Sequence, residues 1–181
     1  MGGDACIATI SHTRYILHVM RPMHPILMAL APLAAPVAAI WVLQSERRAI
    51  LSGRPLTCDE KIDASLLGVT HPERVRVLDR CTIGEPGGQL LIPLARKAGF
   101  PKAAAITVRY GILIEDFPNP PAQRRRLIAH ELAHVAQFER MGLIGMLTAY
   151  IRQVCEVGYF EAPLEIEACA LAERIVLKNQ Q

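Results

Sequence analysis

The sequence lacks several features that assign a chain to a functional class. Its five cysteines include no Cys-x-x-Cys pair, so neither a zinc ribbon nor a disulfide framework is indicated. The net charge of +3 is too small to indicate a nucleic-acid-binding surface. Gly84, Gly87 and Gly88 lie in no nucleotide-binding frame, and they predict a turn instead of a phosphate loop. The chain also has no internal repeat and no low-complexity tract.

The composition and the charge distribution predict three segments. With 181 residues, 51% hydrophobic and 20% charged, the chain can form one core and is not a disordered polymer. Residues 1–24 are interpreted as a leader or an over-extended start, because Met20 and Met23 offer later starts. Residues 25–43 contain no charge and are a signal, a membrane anchor or a buried helix. Residues 44–181 form the main domain.

The fate of residues 25–43 decides the expected localisation. If they are a signal or an anchor, the protein is exported or associated with a membrane, and otherwise it is cytoplasmic. The sequence leaves these alternatives open.

The main domain alternates helical and strand patterns. A helix is predicted to end at Gly53, and a short helix is predicted to end at Gly68. Residues 86–100 also have a helical pattern, with a proline inside it. Residues 106–115 predict one strand, because apolar side chains recur at every second position: Ile106, Val108, Tyr110, Ile112 and Ile114.

The segment LIAHELAHVAQ, residues 127–137, carries the strongest chemical signal. In a helix over residues 122–141, His130 and His134 lie one turn apart on one face, so both can bind a single ion. Glu131 is rotated by about 100° and points beside the ion, where it can take a proton from the water that zinc activates. The alternative is a packed helix with buried polar residues, which would be costly without partners.

The third ligand must come from elsewhere in the chain. The consensus His-Glu-x-x-His-x-x-Gly-x-x-His is excluded, because Gln137 and Arg140 occupy the last two fixed positions. A second helix is predicted over residues 163–178, beginning with proline in its first turn. Glu165 is the charged residue on its wide apolar face, whereas Glu167 lies on the polar flank. The pattern therefore favours Glu165 as the ligand, with Glu167 as the alternative.

These elements resemble the zincin-type metallopeptidases of the gluzincin kind, and most closely the small bacterial DUF4157 family. The similarity covers roughly residues 103–172, and HELAHVAQ is its specific part. It implies a Zn²⁺ ion bound by His130, His134 and Glu165, with Glu131 as the general base. It also implies that strand 106–115 is the sheet edge to which a peptide adds.

Two departures from the family pattern bear on activity. Many gluzincins carry an aspartate that orients the first histidine, and Cys169 occupies that position here. Loss of such a partner weakens metal affinity or activity by about 10-fold to 100-fold. In addition, Thr107 and Gly111 keep the threonine-glycine spacing only loosely.

Two further predictions concern an oxyanion stabiliser and a run of arginines. Tyr159 is the candidate oxyanion stabiliser, with Tyr150 and His71 as alternatives. For each of the three, the other interpretation is an ordinary surface or core residue. Residues 124–126, three consecutive arginines, are predicted to form a solvated face, with contact to anionic lipid as the alternative.

The sequence thus predicts a single α+β domain of zincin type. The expected function is a zinc-dependent peptidase that hydrolyses peptide bonds with metal-activated water, acting on a peptide or protein substrate. The alternative is a non-catalytic, zinc-stabilised binding or scaffolding module. A third reading is a small membrane protein in which residues 25–43 mediate membrane association and the HELAH helix only packs. No nucleic-acid partner is expected, and the oligomeric state is left open.

Overall fold

A computed structural model describes residues 25–83, 103–115 and 120–178. These residues form four helices and one mixed four-stranded sheet, which confirms the predicted α+β class. The elements in chain order are α1 (Pro25–Ser52), β1 (Arg54–Pro55), α2 (Cys58–Leu66), β2 (Arg76–Leu78), β3 (Ala105–Val108), β4 (Gly111–Ile114), α3 (Pro121–Val157) and α4 (Pro163–Lys178). A 3-10 turn, Pro72–Arg74, precedes β2. The helix predicted over residues 86–100 lies outside the described residues.

Helix α1 contains the whole uncharged run and continues beyond it to Ser52. Its buried positions recur at helical spacing and pack against α3 and the sheet: Ala35, Ala39, Val42, Glu46 and Ala49. Glu46 is buried because it accepts hydrogen bonds from Arg109 Nη1 at 3.1 Å and from the backbone N of Tyr110 at 3.3 Å. In the part of the chain that the structure describes, no helix is long and apolar enough to cross a membrane. The division into segments at residue 43 stays a prediction.

The turn signals placed the ends of the first two helices correctly. Helix α1 ends one residue before Gly53. Helix α2 begins with a reciprocal cap, in which Thr57 Oγ1 accepts from the backbone N of Glu60 and Glu60 Oε2 accepts from the backbone N of Thr57. Gly68 follows its end with a φ of +85°, a conformation that glycine adopts without strain.

The predicted strand 106–115 is wrong as a single strand, because the chain reverses within it. Strands β3 and β4 pair antiparallel around a two-residue turn at Arg109 and Tyr110, and Arg109 has a φ of +58°. The apolar alternation continues through the turn, so periodicity alone did not show the reversal. Gly111 is the first residue of β4 and packs directly against α1. A side chain would not fit there, because an added Cβ would lie 2.7 Å from the Cβ of Ala49.

The hairpin fixes which strand lies at the edge of the sheet. The strand order is β1-β2-β4-β3, with β2 and β4 parallel. Strand β4 is therefore interior, and within the described residues β3 is one of the two edge strands. Of the residues predicted to form the sheet edge, 106–115, only those in β3 (Ala105–Val108) lie at an edge, and those in β4 do not.

Helix α3 lies at the centre of the fold and has apolar contacts on two sides. Ile128, Leu132 and Val135 belong to a core cluster with α2, the sheet and α4. Phe138 and Met146 belong to a second cluster with α1. This two-sided burial agrees with the sequence pattern, and it surrounds the polar segment HELAH with protein.

Gly142 interrupts α3 and separates it into two arms. Its φ of 71° and ψ of 169° are not helical, so the chain bends there. The first arm matches the helix predicted over residues 122–141. The second arm turns back over the first, which brings the ring of Tyr150 to 6.3 Å from the ring of His134.

The three consecutive arginines, predicted to form a solvated face, are only partly exposed, and all three form ion pairs. Each one pairs with a carboxylate of a different part of the chain: Arg124 with Asp79 at 2.5 Å, Arg125 with Asp63 at 2.9 Å, and Arg126 with Glu173 at 2.6 Å. These partners follow β2 or lie on α2 and α4. The arginines thus join the start of α3 to its neighbours, and local sequence could not reveal partners that are so distant along the chain.

Candidate metal centre

Two histidines of α3 and one glutamate of α4 converge in the interior. His130 Nε2 lies 3.1 Å from His134 Nε2 and 3.2 Å from Glu165 Oε2, and His134 Nε2 lies 3.5 Å from Glu165 Oε1. All three residues are buried. Within the described residues, these side chains form a group whose ligand atoms lie within 4.8 Å of one another and can bind a metal ion.

The spacing of these atoms fits a small tetrahedral cation. Ligand atoms at about 2.0 to 2.1 Å from a zinc ion in a tetrahedron lie about 3.3 Å apart. The three distances between the ligand atoms of His130, His134 and Glu165 are 3.1, 3.2 and 3.5 Å, all close to this value. The donor set of two imidazoles and one carboxylate therefore needs little rearrangement to enclose an ion of that size.

Glu165 and His134 of this buried group shift each other's pKa values. Burial raises the pKa of Glu165, but hydrogen bonds and charge from His130 and His134 lower it by more, so it lies well below the usual range. Burial lowers the pKa of His134, yet the adjacent Glu165 more than offsets this effect and raises it. The centre thus holds a buried carboxylate that requires positive charge beside it.

The orientation of His134 depends on a residue that sequence reasoning missed. Gln137 Oε1 lies 2.7 Å from His134 Nδ1, and the Gln137 side chain is buried. An amide oxygen only accepts, so Nδ1 carries a proton and Nε2 is the nitrogen left to bind an ion. The only signal in the sequence was a glutamine three residues after the second histidine of the motif.

His130 has a different and weaker partner. Its Nδ1 lies 3.7 Å from Cys169 Sγ, at the position where the resemblance implies an aspartate. Cys169 is disulfide-bonded, so its sulfur accepts a hydrogen bond and does not donate one. The predicted departure from the family pattern is thus present in the geometry, as a sulfur contact where a carboxylate would be.

Glu131 is buried next to the group and is oriented by the sheet edge. Thr107 Oγ1 on β3 lies 2.7 Å from Glu131 Oε2 and 2.9 Å from the carbonyl oxygen of the same residue. The single hydroxyl proton is shared between these two acceptors. Strand β3 thereby limits the rotation of the carboxylate and keeps it near the two histidines of its own helix.

Both tyrosines named from the sequence lie near the group. Tyr150 donates a hydrogen bond to Glu165 Oε1 at 2.7 Å. Burial raises the pKa of Tyr159 well above its usual value, as do the negative charges of Glu165 and Glu131. Each phenol therefore stays protonated and able to donate. His71 lies elsewhere, exposed, with Nδ1 3.4 Å from Glu73.

The structure thus brings together the residues predicted for the site. His130, His134 and Glu165 meet, and Glu131, Tyr150 and Tyr159 lie around them. Glu167, the alternative ligand, instead accepts hydrogen bonds from Gln137 and Arg140. The roles of these residues in metal binding and catalysis stay predictions.

One comparison with known proteins gave a similarity. A family model described as the eCIS core domain matches residues 94–142, and that domain family is related to DUF4157-type proteins and proposed to be metallopeptidase-like. The matched range includes His130, Glu131, His134 and Gln137 and ends before Glu165. No curated protein and no solved structure matched the chain.

Proposed function

We propose that this protein is a zinc-dependent metallopeptidase of zincin type. The observation that carries the proposal is the buried group of His130, His134 and Glu165, with ligand atoms 3.1 to 3.5 Å apart and a buried glutamate beside it. Two histidines and one glutamate are a donor set of catalytic zinc sites, which keep a fourth position for water or substrate. The similarity of residues 94–142 to the eCIS core domain supports the same class.

A bound zinc ion would polarise the substrate carbonyl and lower the pKa of water, so that a nucleophile forms at neutral pH. Glu131 serves as the general base that accepts the proton of the attacking water and later delivers it to the leaving amine. Its hydrogen bond with Thr107 supports this role, because the carboxylate keeps a fixed direction. Glu131 lies one residue after His130, about 100° further around the helix, which keeps it beside the ligands.

Stabilisation of the developing oxyanion is assigned to the tyrosines. Tyr159 is the first candidate, and its protonated phenol can donate a hydrogen bond as negative charge forms on the carbonyl oxygen. Tyr150 is the second, since its hydroxyl already contacts Glu165 at 2.7 Å. Burial raises the pKa of Tyr150 well above its usual value, so its phenol also stays protonated and able to donate.

The substrate is proposed to be a peptide or protein segment in extended conformation. Within the described residues, strand Ala105–Val108 lies at an edge of the sheet, and the same strand carries Thr107 against Glu131. A segment added to β3 would therefore pass near the general base.

A second candidate, a non-catalytic zinc-stabilised binding module, is favoured by the contact of His130. Cys169 sulfur at 3.7 Å is a poorer partner than a carboxylate, and loss of such a partner reduces activity by about 10-fold to 100-fold. In this case the metal would only join α3 to α4.

The variant Glu131→Gln separates the two candidates. If the chain is a peptidase, Glu131→Gln retains zinc at the wild-type stoichiometry and loses at least about 100-fold in cleavage of a peptide library, because the amide cannot accept the proton. Glu156→Gln, which breaks an exposed ion pair with Arg152 on the same helix, is the control and keeps wild-type cleavage. Equal cleavage by wild type and Glu131→Gln would exclude the proposed mechanism, and zinc binding without cleavage by wild type would favour the binding module.

A further inference from the structure

Gln137 is a fully enclosed polar side chain with a partner for each of its polar atoms. The side chain is 1% exposed. Its Oε1 lies 2.7 Å from His134 Nδ1, and its Nε2 donates to the carbonyl oxygen of Leu164 at 2.9 Å and to Glu167 Oε2 at 3.0 Å. A buried amide with this set of contacts has one satisfied orientation.

The orientation of the amide follows from its acceptors. The Leu164 carbonyl oxygen and the Glu167 carboxylate only accept hydrogen bonds, so the amide nitrogen must face them and the oxygen must face His134. That oxygen in turn requires a proton on Nδ1. The Nε2 atom of His134 is then the one directed at His130 and Glu165, and it is the nitrogen that can bind an ion.

The same side chain also fixes the helix that supplies the third ligand. Leu164 directly precedes Glu165 in α4, so the bond from Gln137 to the Leu164 carbonyl fixes the backbone beside Glu165. Gln137 thus holds one ligand of α3 by its side chain and one ligand of α4 by its backbone.

Glu167 extends these contacts to the surface. Arg140 donates two hydrogen bonds to Glu167, at 3.1 and 2.9 Å. Arg140 is 56% exposed and Glu167 37% exposed, by side chain. The hydrogen bonds therefore run from an exposed ion pair through Gln137 to His134, and we name this series the Gln137 relay.

We propose that Gln137 and Glu167 are positioning residues of the metal centre, which set the tautomer of His134 and the spacing between His134 and Glu165. This inference rests on the proposal that the centre binds zinc. It adds that zinc affinity depends on two residues that are not themselves ligands. It also adds that the relay gives His134 a stronger partner than Cys169 gives His130.

The test is the zinc dissociation constant of the full chain, measured by competition with a chromophoric chelator. Gln137→Met keeps the length of the side chain and removes every hydrogen bond, and we expect its dissociation constant to rise about 10-fold to 100-fold. Glu167→Ala leaves Gln137 in place and should raise the constant about threefold to tenfold. The matched control is Glu173→Ala, which removes another Arg-Glu ion pair between α3 and α4 and should leave the constant within twofold.

A second readout separates positioning from folding. The visible absorption bands of Co²⁺ bound in place of zinc report the arrangement of its ligands. We expect the bands to change in Gln137→Met and Glu167→Ala and to match wild type in Glu173→Ala. If Gln137→Met does not fold, Glu167→Ala against Glu173→Ala still decides the matter.

The outcomes distinguish this inference from the proposed function. A wild-type chain that binds no zinc refutes the proposed function itself. Zinc binding by wild type with equal affinity and equal cobalt spectra in Gln137→Met and Glu167→Ala refutes the relay alone. Equal losses in Glu167→Ala and Glu173→Ala would also refute it, because the effect would then come from joining the helices and not from His134.

Discussion

Zinc binding should raise the thermal stability of this chain by an amount that can be calculated. The three ligand atoms converge only when α3 and α4 are packed, because His134 and Glu165 lie on different helices and meet at 3.5 Å. An ion that binds the folded chain and not the unfolded one stabilises it by about 4 kcal/mol when free ligand is 1,000 times the dissociation constant. For a domain of this size, 1 kcal/mol corresponds to about 2 to 4 °C.

We therefore expect the unfolding temperature to rise by about 8 to 16 °C on going from chelator to buffered zinc at that ratio. The assay is thermal unfolding of the full chain followed by circular dichroism. His134→Ala removes one ligand and should reduce the shift to less than about 2 °C, which corresponds to less than about 1 kcal/mol of stabilisation by zinc. His71→Ala is the control, since His71 is exposed and pairs with Glu73, and it should keep the full shift.

Two results would refute this reasoning. The absence of a shift in wild type would mean that the converging side chains do not form a metal site. A shift of equal size in His134→Ala would mean that zinc stabilises the chain from another position.

Two further predictions concern the supports of the site and of the fold. Thr107→Val removes the hydroxyl that contacts Glu131 Oε2 at 2.7 Å and keeps the shape of the side chain, so we expect about a 10-fold loss of peptide cleavage with an unchanged zinc dissociation constant. Thr107→Ser should retain activity, and an equal loss in both variants would contradict the role of the hydroxyl. Burial raises the pKa of Glu60, but the hydrogen bond from Arg54 and further contacts lower it by more. A lowered folded-state pKa adds stability that is present above the unfolded value of about 4.5 and is lost as the pH falls through the folded value. The free energy of unfolding, measured by urea unfolding between about pH 3 and 6, should therefore fall less steeply with decreasing pH in Glu60→Gln than in wild type. Identical slopes in the two proteins would contradict the prediction.

The sequence allowed prediction of the elements and residues whose signals are local. The helical spacing of His130 and His134, and the position of Glu165 on the apolar face of its helix, follow from 3.6 residues per turn. The ends of α1 and α2 follow from the glycines at 53 and 68. These features depend on neighbouring residues, and the structure has them where the pattern indicated.

The features that escaped prediction depend on tertiary packing. The hairpin at Arg109 and Tyr110 escaped because apolar alternation continues through the turn. The contact of Tyr150 with Glu165 depends on the bend at Gly142, and the partners of Gln137 lie on another helix. The sequence pattern does not show which residues of different helices come close together. The residues that position the ligands were therefore harder to identify than the ligands themselves.

The most direct test of the central claim is the metal content of the purified full chain, measured by mass spectrometry beside Glu165→Ala and Glu167→Ala. The account predicts about one zinc ion per chain in wild type and in Glu167→Ala, as expected for three converging ligands, and none in Glu165→Ala. A folded wild-type chain that contains no metal and takes up none from buffered zinc would contradict the account, and HELAH would then be a packed helix whose histidines only pair with Glu165.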